Sequence, residues 1–580
     1  MKHDDSFLRI EYRKTLLPVM FSILGGTINA LIDSLFVSLK LGSNGLSAVN
    51  LCMPVYLTLC IFGSAVGFGA SFLSANSVGR DRMEEAGKYY HTALLLCLIM
   101  GICFIPVGLF LGNPLSLALS QGSTLRFFVS DYCKTLLFGS LPFLLSYTFI
   151  NYLQLEGKTK GISAMVIIMV ACDTVLDLLL LFVFDLGMTG AALASVLSTA
   201  AAVIAGFFCL QRGTTNYRFE LRKVRFFQIG RILRFGSPAA LGNLYDAARL
   251  LIINMYVLYF EGTEAVAVWA ALNTLTELSL VIVQGVPRTG APMIGVYSAA
   301  RENSGIRTLF GLQIRTGLIC SLIYAFLTVA IHEPIRVAFS LSTPMFLPLV
   351  CLGISLMINT LGAVFDSYYN AVGRIWLSNL LVAFRRLIFP IAGIAEVYFF
   401  RISFWYSLPI GMLVLLVNGF LIIKFTAVLL NKKGRGLSGI LLLCDNLERE
   451  NKVLDFSIGA DMEEVCSASE QIKDFCSKNN ISARLTMSLG LSIEELLNVM
   501  IQKNPEIRYV DLRAFVLDED VGIRIRTSGK KYNPFEDKES SEDFLLGVNM
   551  LKKMCSIAKH SYTLGMNTIN IKFPAEQKNE

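Results

Sequence analysis

DTVLDLLLLFVFDLGMTGAALAS, residues 173–195, decides how the rest of the chain is read. Asp173 and Asp177 open a long apolar run and stand four residues apart. That spacing is about one helical turn, so both carboxylates share a face of an apolar helix. An ionisable group in hydrocarbon costs at least about 2.5 kcal/mol on insertion scales, so the pair points to function rather than packing. Two carboxylates this close can hold a proton between them or coordinate Na⁺. Beyond Asp185 the chain turns at Leu186-Gly187 and restarts as a run of small residues that ends on Ser195.

Apolar stretches of this length recur outward from that segment. Twelve are long enough to cross a bilayer, at 15–39, 48–75, 90–112, 128–154, 161–185, 189–210, 235–259, 264–294, 309–331, 345–371, 376–399 and 404–430. Of 580 residues 54% are hydrophobic and 16% charged, and the mean hydropathy is +0.58. A soluble domain carries about 25% charged residues, so a purely soluble enzyme is excluded. Charge is also unevenly spread. Residues 441–580 hold 23 acidic and 18 basic groups, against 21 and 33 in residues 1–440. The chain therefore reads as a membrane region followed by a soluble domain. The thirteen cysteines form no CxxC pair, and with four scattered histidines a metal site is not expected.

The basic residues between the apolar stretches fall on alternate loops, among them Arg80, Arg82, Lys158, Arg222, Arg301, Arg374 and Lys432. The opposite loops carry Asp185, Glu261, Glu264 and Glu333. The positive-inside rule then places both termini in the cytoplasm. A repeat is visible too. NYLQLEGK (151–158) matches SYYNAVGR (367–374), Leu17-Pro18 matches Ser237-Pro238, and the turn Arg80-Asp81 matches Arg301-Glu302. Two six-helix halves related by an axis along the membrane normal are expected, with substrate between them. The expected divisions are an N-terminus at 1–14, a first lobe at 15–210, a linker at 211–234, a second lobe at 235–430, a basic linker at 431–436 and a cytoplasmic domain at 437–580. Basic and apolar residues in 211–234, such as Arg222, Val224 and Phe227, suggest an interfacial helix.

Other ionisable groups stand inside the apolar stretches. Asp33 on the first helix has no basic neighbour within a turn. Asp246, Glu277 and Asp366 form a candidate second-lobe cavity set, although Arg249 three residues on could simply neutralise Asp246. Asp366 could equally be a solvated helix end, and Glu277 could line a polar cavity without titrating.

Residues 10–430 resemble the multidrug and toxic compound extrusion (MATE) transporters. The resemblance is carried by INALIDSLFVSLKLGSNGLSAV (28–49), by SVGRDRMEEAGKYYHTAL (77–94), and most specifically by the 173–195 segment. It implies a cation site in the first lobe formed by Asp33, Asp173 and Asp177, with Ser195 as a hydroxyl ligand. Asp173 stands where the family usually has Asn. The resemblance further implies H⁺- or Na⁺-driven antiport of organic, often cationic, compounds across the cytoplasmic membrane by alternating access.

Residues 437–580 read as strand 452–458, helices 461–478 and 482–502, strands 508–516 and 521–527, helix 544–558 and strand 568–573, an α+β two-layer sandwich. SLGLSIEELLNVMIQ (488–502) resembles the N-box of GHKL-type ATPases, in the serine-kinase branch related to anti-sigma factors. Glu494 and Asn498 lie four apart on one helix face. The resemblance implies ATP with Mg²⁺ on Asn498, and a nucleotide site completed by Thr527, Gly529 and Gly547. Thr527 replaces the family's adenine-reading Asp.

The expected fold is thus mostly α, a twelve-helix MATE-like transporter with a GHKL-like domain. The expected function is a cation-coupled multidrug antiporter, most simply a secondary transporter rather than an enzyme, with an ATPase-like regulatory domain. Its expected partners are a small-molecule substrate, the lipid bilayer and a cytoplasmic protein bound by the C-terminal domain, with no nucleic acid. The alternatives are a transporter-shaped sensor and a lipid-linked sugar flippase. A cationic cavity lined by Arg249, Arg288, Arg385 and Arg386 would favour the last.

Overall fold

Residues 6–574 are described in the computed structural model, except 121–124, 213–216, 218–225, 262, 340–342, 430–436, 444–449, 451, 518–519 and 538–545. The first half contains α1 (Phe7–Gly42), α2 (Leu51–Gly79), α3 (Met83–Ser120), α4 (Arg126–Phe138 and Ser140–Leu155), α5 (Thr159–Val183) and α6 (Gly187–Gln211). The second contains α7 (Ile229–Tyr256), α8 (Thr263–Ala299), α9 (Asn303–Ala330), α10 (Phe346–Ala371), α11 (Ile375–Ala383, running on through Phe389–Phe400) and α12 (Phe404–Leu429).

Among the described residues, 8 helices are long and apolar enough to cross a membrane, or 9 if the two parts of α4, bent by 50° at Gly139, form one span. Twelve spans were expected. The helices α7, α8 and α11 also have the length, and they carry Asp246, Arg249, Glu277, Arg288, Arg385 and Arg386. Helices α1 and α7 also start earlier than their apolar patterns do. Arg9, Arg13, Arg231 and Arg234 continue them beyond the hydrocarbon-length stretch. Of the described part of 211–234, where an interfacial helix is expected, 229–234 is the start of α7. Arg222 and Val224 lie outside the described residues.

The repeat is visible in the backbone. Gly157 and Gly373 end α4 and α10 with φ of 73° and 81°. Lys158 N donates to Leu153 O and Arg374 N to Tyr369 O, both 2.8–2.9 Å, closing the same left-handed turn. Glycine is favoured there because a Cβ strains positive φ. Asp81 and Arg301 share a φ of 58°. The correspondence is therefore Asp81 with Arg301 rather than Arg80 with Arg301, a one-residue correction that the hydrogen bonds Arg82 N to Ser77 O and Glu302 N to Tyr297 O confirm.

Packing is asymmetric along the helix axes. At the end carrying the C-terminal domain, both halves share one apolar core. At the far end each keeps its own, around Val37, Cys52 and Leu181 in the first half and Val257, Leu272 and Leu352 in the second. Small residues allow the close approach. A Cβ on Gly236 of α7 would lie 1.8 Å from the Ala65 carbonyl oxygen of α2, and one on Gly69 would lie 2.0 Å from Ile232 O. Both obstacles are backbone, so Gly236→Val is expected to destabilise this closed end by about 1–3 kcal/mol. Labelling of cysteines introduced near residue 69 would show it as raised reactivity.

The C-terminal domain has an antiparallel sheet of five strands in the order β1 (Val453–Gly459), β2 (Tyr509–Leu517), β3 (Asp520–Ser528), β5 (Met566–Pro574), β4 (Ile557–Thr563). Helices α13 (Met462–Lys478), α14 (Ala483–Lys503) and α15 (Leu546–Met554) accompany it. Asp461 caps α13 by accepting from Glu464 N at 2.9 Å, and Ser482 caps α14. Leu489, Ile493, Leu496 and Met500 of α14 pack against Ile523 and Ile525 of β3. The helix expected over 544–558 ends at Met554, and the unforeseen edge strand β4 follows it. Ile557–Thr563 has the mixed polar pattern of an edge and pairs with β5 across the Leu564-Gly565 turn.

Candidate functional site

Asp33 on α1 and Asp173 and Asp177 on α5 meet in the first half, with carboxylate oxygens all within 4.8 Å of one another. Both α5 aspartates are buried. Asn29, one turn before Asp33, donates to Asp173 Oδ2 at 2.5 Å, and Ser198 on α6 donates to Asp173 Oδ1 at 2.8 Å. Ser195 reaches Asp33 Oδ2 at 3.5 Å. Asp33 Oδ1 and Asp177 Oδ2 are buried without a partner. Among the described residues, no lysine or arginine forms an ion pair with any of the three. Bare carboxylates in contact at a buried site are costly unless protons or a cation neutralise them. The donors are all hard oxygens, which suit Na⁺ or H⁺ rather than a soft transition metal.

The four residues expected at this site come together. Asn29 and Ser198 join them beyond that expectation. Asn29 carries a signal, since it lies four before Asp33 on the same face. Ser198 resembles any serine in a helix of small residues.

The second-lobe set is rearranged. Asp246 pairs with Arg386 of α11 and, more loosely at 3.6 Å, with Arg249. Asp366 accepts from Arg385 Nε at 2.9 Å and Nη2 at 2.6 Å. Asp366, Arg385, Arg386 and Arg288 line a cavity between the halves. Glu277 is exposed on α8 and is not among the residues lining it.

A third polar cluster joins the C-terminal domain to the helices. Glu302, in the turn between α8 and α9, is buried between Arg524 and Arg526 of β3 and accepts from Arg526 Nη2 at 2.8 Å. Arg526 also lies over the Tyr297 ring, 4.1 Å from its centre. Burial alone would raise the Glu302 carboxyl, but Arg526 and Arg524 draw it down to about 2. Arg513 of β2 donates to Arg301 O at 3.1 Å, and Ser304 donates to Asp455 at 2.6 Å. In the first half Asn570 of β5 donates to Asp81, and Leu564 N donates to Leu155 O at 2.6 Å. Tyr368 and Tyr369 of α10 donate to Leu441 O and Ile440 O, at 2.8 and 2.6 Å. The segment that precedes the domain is thus built into the end of the second half. All four turns made equivalent by the repeat touch the C-terminal region.

The expected nucleotide residues lie on the helix side of the sheet. Asn498 Oδ1 and Thr527 Oγ1 are buried without partners, which suits a polar ligand. Against that, the Glu495 carboxylate packs on Gly547, with Oε2 1.7 Å from where a Cβ there would sit. Asn504 packs on Gly529 in the same way. Glu494 faces Cys466 of α13. An acidic group stands where a triphosphate would approach, so this packing does not fit ATP with Mg²⁺.

Solved structures place the helical region. A crystal structure of MATE in complex with MaL6 superimposes with a TM-score of 0.68 at 21% identity, over 73% of this chain and 97% of that one. The helical region has the MATE transporter fold. An outward-facing multidrug resistance MATE family transporter gives 0.67 at 21% identity, over 73% of this chain and 96% of that one. The MatE family model matches residues 18–180 of the MATE-fold region. Multidrug export protein MepA of Staphylococcus aureus (strain MSSA476) is 25% identical over 295 residues, 49% of this chain and 64% of MepA. The Staphylococcus haemolyticus (strain JCSC1435) MepA is 24% identical over 376 residues, 62% of this chain and 80% of that protein. The match thus spans a little under two thirds of the S. aureus relative's length.

Proposed function

We propose that the chain is a cation-coupled MATE-family exporter of small molecules with a cytoplasmic regulatory domain. The observation that carries this is the contact of Asp33, Asp173 and Asp177, whose carboxylate oxygens meet where a proton or Na⁺ would neutralise them. Binding a cation there would favour one access state, and substrate the other. Coupling then comes from the difference in each ligand's affinity for the two states. With both termini cytoplasmic, as the basic loops indicate, the shared core lies inside and the separate cores outside. The arrangement is then outward-facing. The regulatory reading is supported by the four turns that touch the C-terminal region, two from each half. Opening the cytoplasmic side would part those turns, so a docked domain opposes it. Its resemblance to GHKL domains rests on the N-box-like segment 488–502, and a cytoplasmic protein that draws the domain away would speed transport.

Gradient-driven efflux from proteoliposomes tests the coupling. Wild type should expel substrate under a H⁺ or Na⁺ gradient, and efflux independent of both gradients would overturn it.

The docking contact is expected to depend on pH. Burial pushes the Asp511 carboxyl up to about 7 against the pull of Arg526, with Glu302 and Asp455 adding to the rise. An ordinary Asp titrates near 3.9. A raised carboxyl favours the docked, protonated form, fully below about pH 4, and that help is lost as pH rises to about 7. Glu302, held near 2, stays ionised throughout. Spin-label distances between domain and helices should broaden from pH 5 to 8, and Asp511→Asn should flatten that change.

A further inference from the structure

The cavity between the halves is lined by Arg288, Arg385 and Arg386, with Asp366 the carboxylate in its wall. Asp366 is already held by Arg385, which also donates to Asn359 at 2.8 Å. Asp246, behind the wall, takes up part of Arg386, whose Nε is buried without a partner. Arg288 has no carboxylate partner among the described residues. It donates to Gln284 at 2.5 Å and lies 4.9 Å from the centre of the Phe68 ring on α2, at the seam between the halves. Three guanidinium groups thus face two carboxylates that are both already paired. In a low-dielectric cleft the excess cation repels an organic cation and draws an anion. A guanidinium fork matches the paired oxygens of phosphate or carboxylate.

A second cavity lies inside the second half, between α9, α10, α11 and α12. Leu361, Phe365, Leu416 and Phe420 are among its walls, and Arg385 is the one charged residue lining it. Arg385 lines both cavities, so it stands where an apolar space meets the cationic cleft. We propose that the cleft binds the phosphate or carboxylate of an anionic amphiphile, with Arg288 as the free guanidinium that receives it and the apolar cavity beside Arg385 taking its chain. This rests on the exporter reading only in placing substrate between the halves.

Calorimetry on the full chain in phosphatidylcholine nanodiscs, with empty nanodiscs as reference, tests it. The probes are inorganic phosphate, hexyl phosphate, dihexanoyl phosphatidic acid and hexyltrimethylammonium. Hexyl phosphate should bind at least tenfold more tightly than hexyltrimethylammonium, and Arg288→Gln should remove at least tenfold of its affinity. Arg288→Lys, which keeps the charge, should lose less. Tighter binding of dihexanoyl phosphatidic acid would name a lipid headgroup as the source. Equal or tighter binding of hexyl phosphate would name a soluble amphiphile, and inorganic phosphate binding as well as either would overturn the proposal, since the apolar cavity would then take no chain. A preference for hexyltrimethylammonium, or hexyl phosphate affinity unchanged in Arg288→Gln, would overturn the proposal. The wild-type comparison decides the matter even if that variant does not fold. No ion gradient enters the measurement, so failure here leaves the coupling reading standing, and lost coupling with intact binding leaves this inference standing.

Discussion

Glu302→Ala is expected to release the C-terminal domain from the helices. Glu302 is the buried carboxylate that Arg524 and Arg526 share, and removing it takes the ion pair from Arg524 and leaves Arg526 with Asp511 alone, 3.6 Å away, while both guanidinium groups stay buried. Breaking a buried ion pair from one side typically costs about 3–5 kcal/mol. That far exceeds a surface pair, because the remaining charge keeps its desolvation cost. Hydrogen exchange over 520–528 and 564–570 should speed up at least tenfold, and gradient-driven transport should rise as the cytoplasmic side becomes free to open. Replacing Glu302 and Arg526 together by methionine should recover part of the protection, since an apolar pair of similar volume leaves Arg524 and Asp511 as the groups that lose a partner. Unchanged protection in Glu302→Ala would mean that the domain is held elsewhere.

Asp177→Asn is expected to lower gradient-driven efflux by at least tenfold while leaving the fold intact. Asn keeps the shape and loses the charge, and Asp177 Oδ2 has no hydrogen-bond partner to forfeit. Asp173→Asn should be milder. Asn is the residue the family usually places there, and its carbonyl oxygen can still accept from Ser198, which donates to Asp173 at 2.8 Å. Ser198→Ala, which removes one donor to a buried carboxylate, should cost about 1–3 kcal/mol of local stability and shift the ion dependence rather than abolish transport.

What could be read from the sequence follows the range of the interaction. Asp173 and Asp177 were legible because one helix turn fixes their relation whatever the tertiary fold. Asp33 was legible as an unneutralised charge in an apolar run, but only the structure shows it touching residues 140 positions away. The pairing of Asp366 with Arg385 and of Asp246 with Arg386 joins helices that sequence spacing cannot align. Most hidden was the Glu302 cluster. IRIRTS reads as a half-buried strand with its arginines in water, yet Arg524 and Arg526 face the membrane region across 222 and 224 residues of chain. Strand β4 was missed because a charged edge strand after a helix has no apolar alternation to mark it.

The central claim is that a cation bound by Asp33, Asp173 and Asp177 drives export. Its most direct test is to follow ²²Na⁺ and H⁺ movement in the same proteoliposomes that report substrate efflux. The account predicts that one of the two ions moves opposite to substrate in a fixed ratio, and that the Asp173→Asn, Asp177→Asn double variant loses both fluxes together. Full-rate efflux with neither ion moving, or efflux undiminished in the double variant, would contradict it.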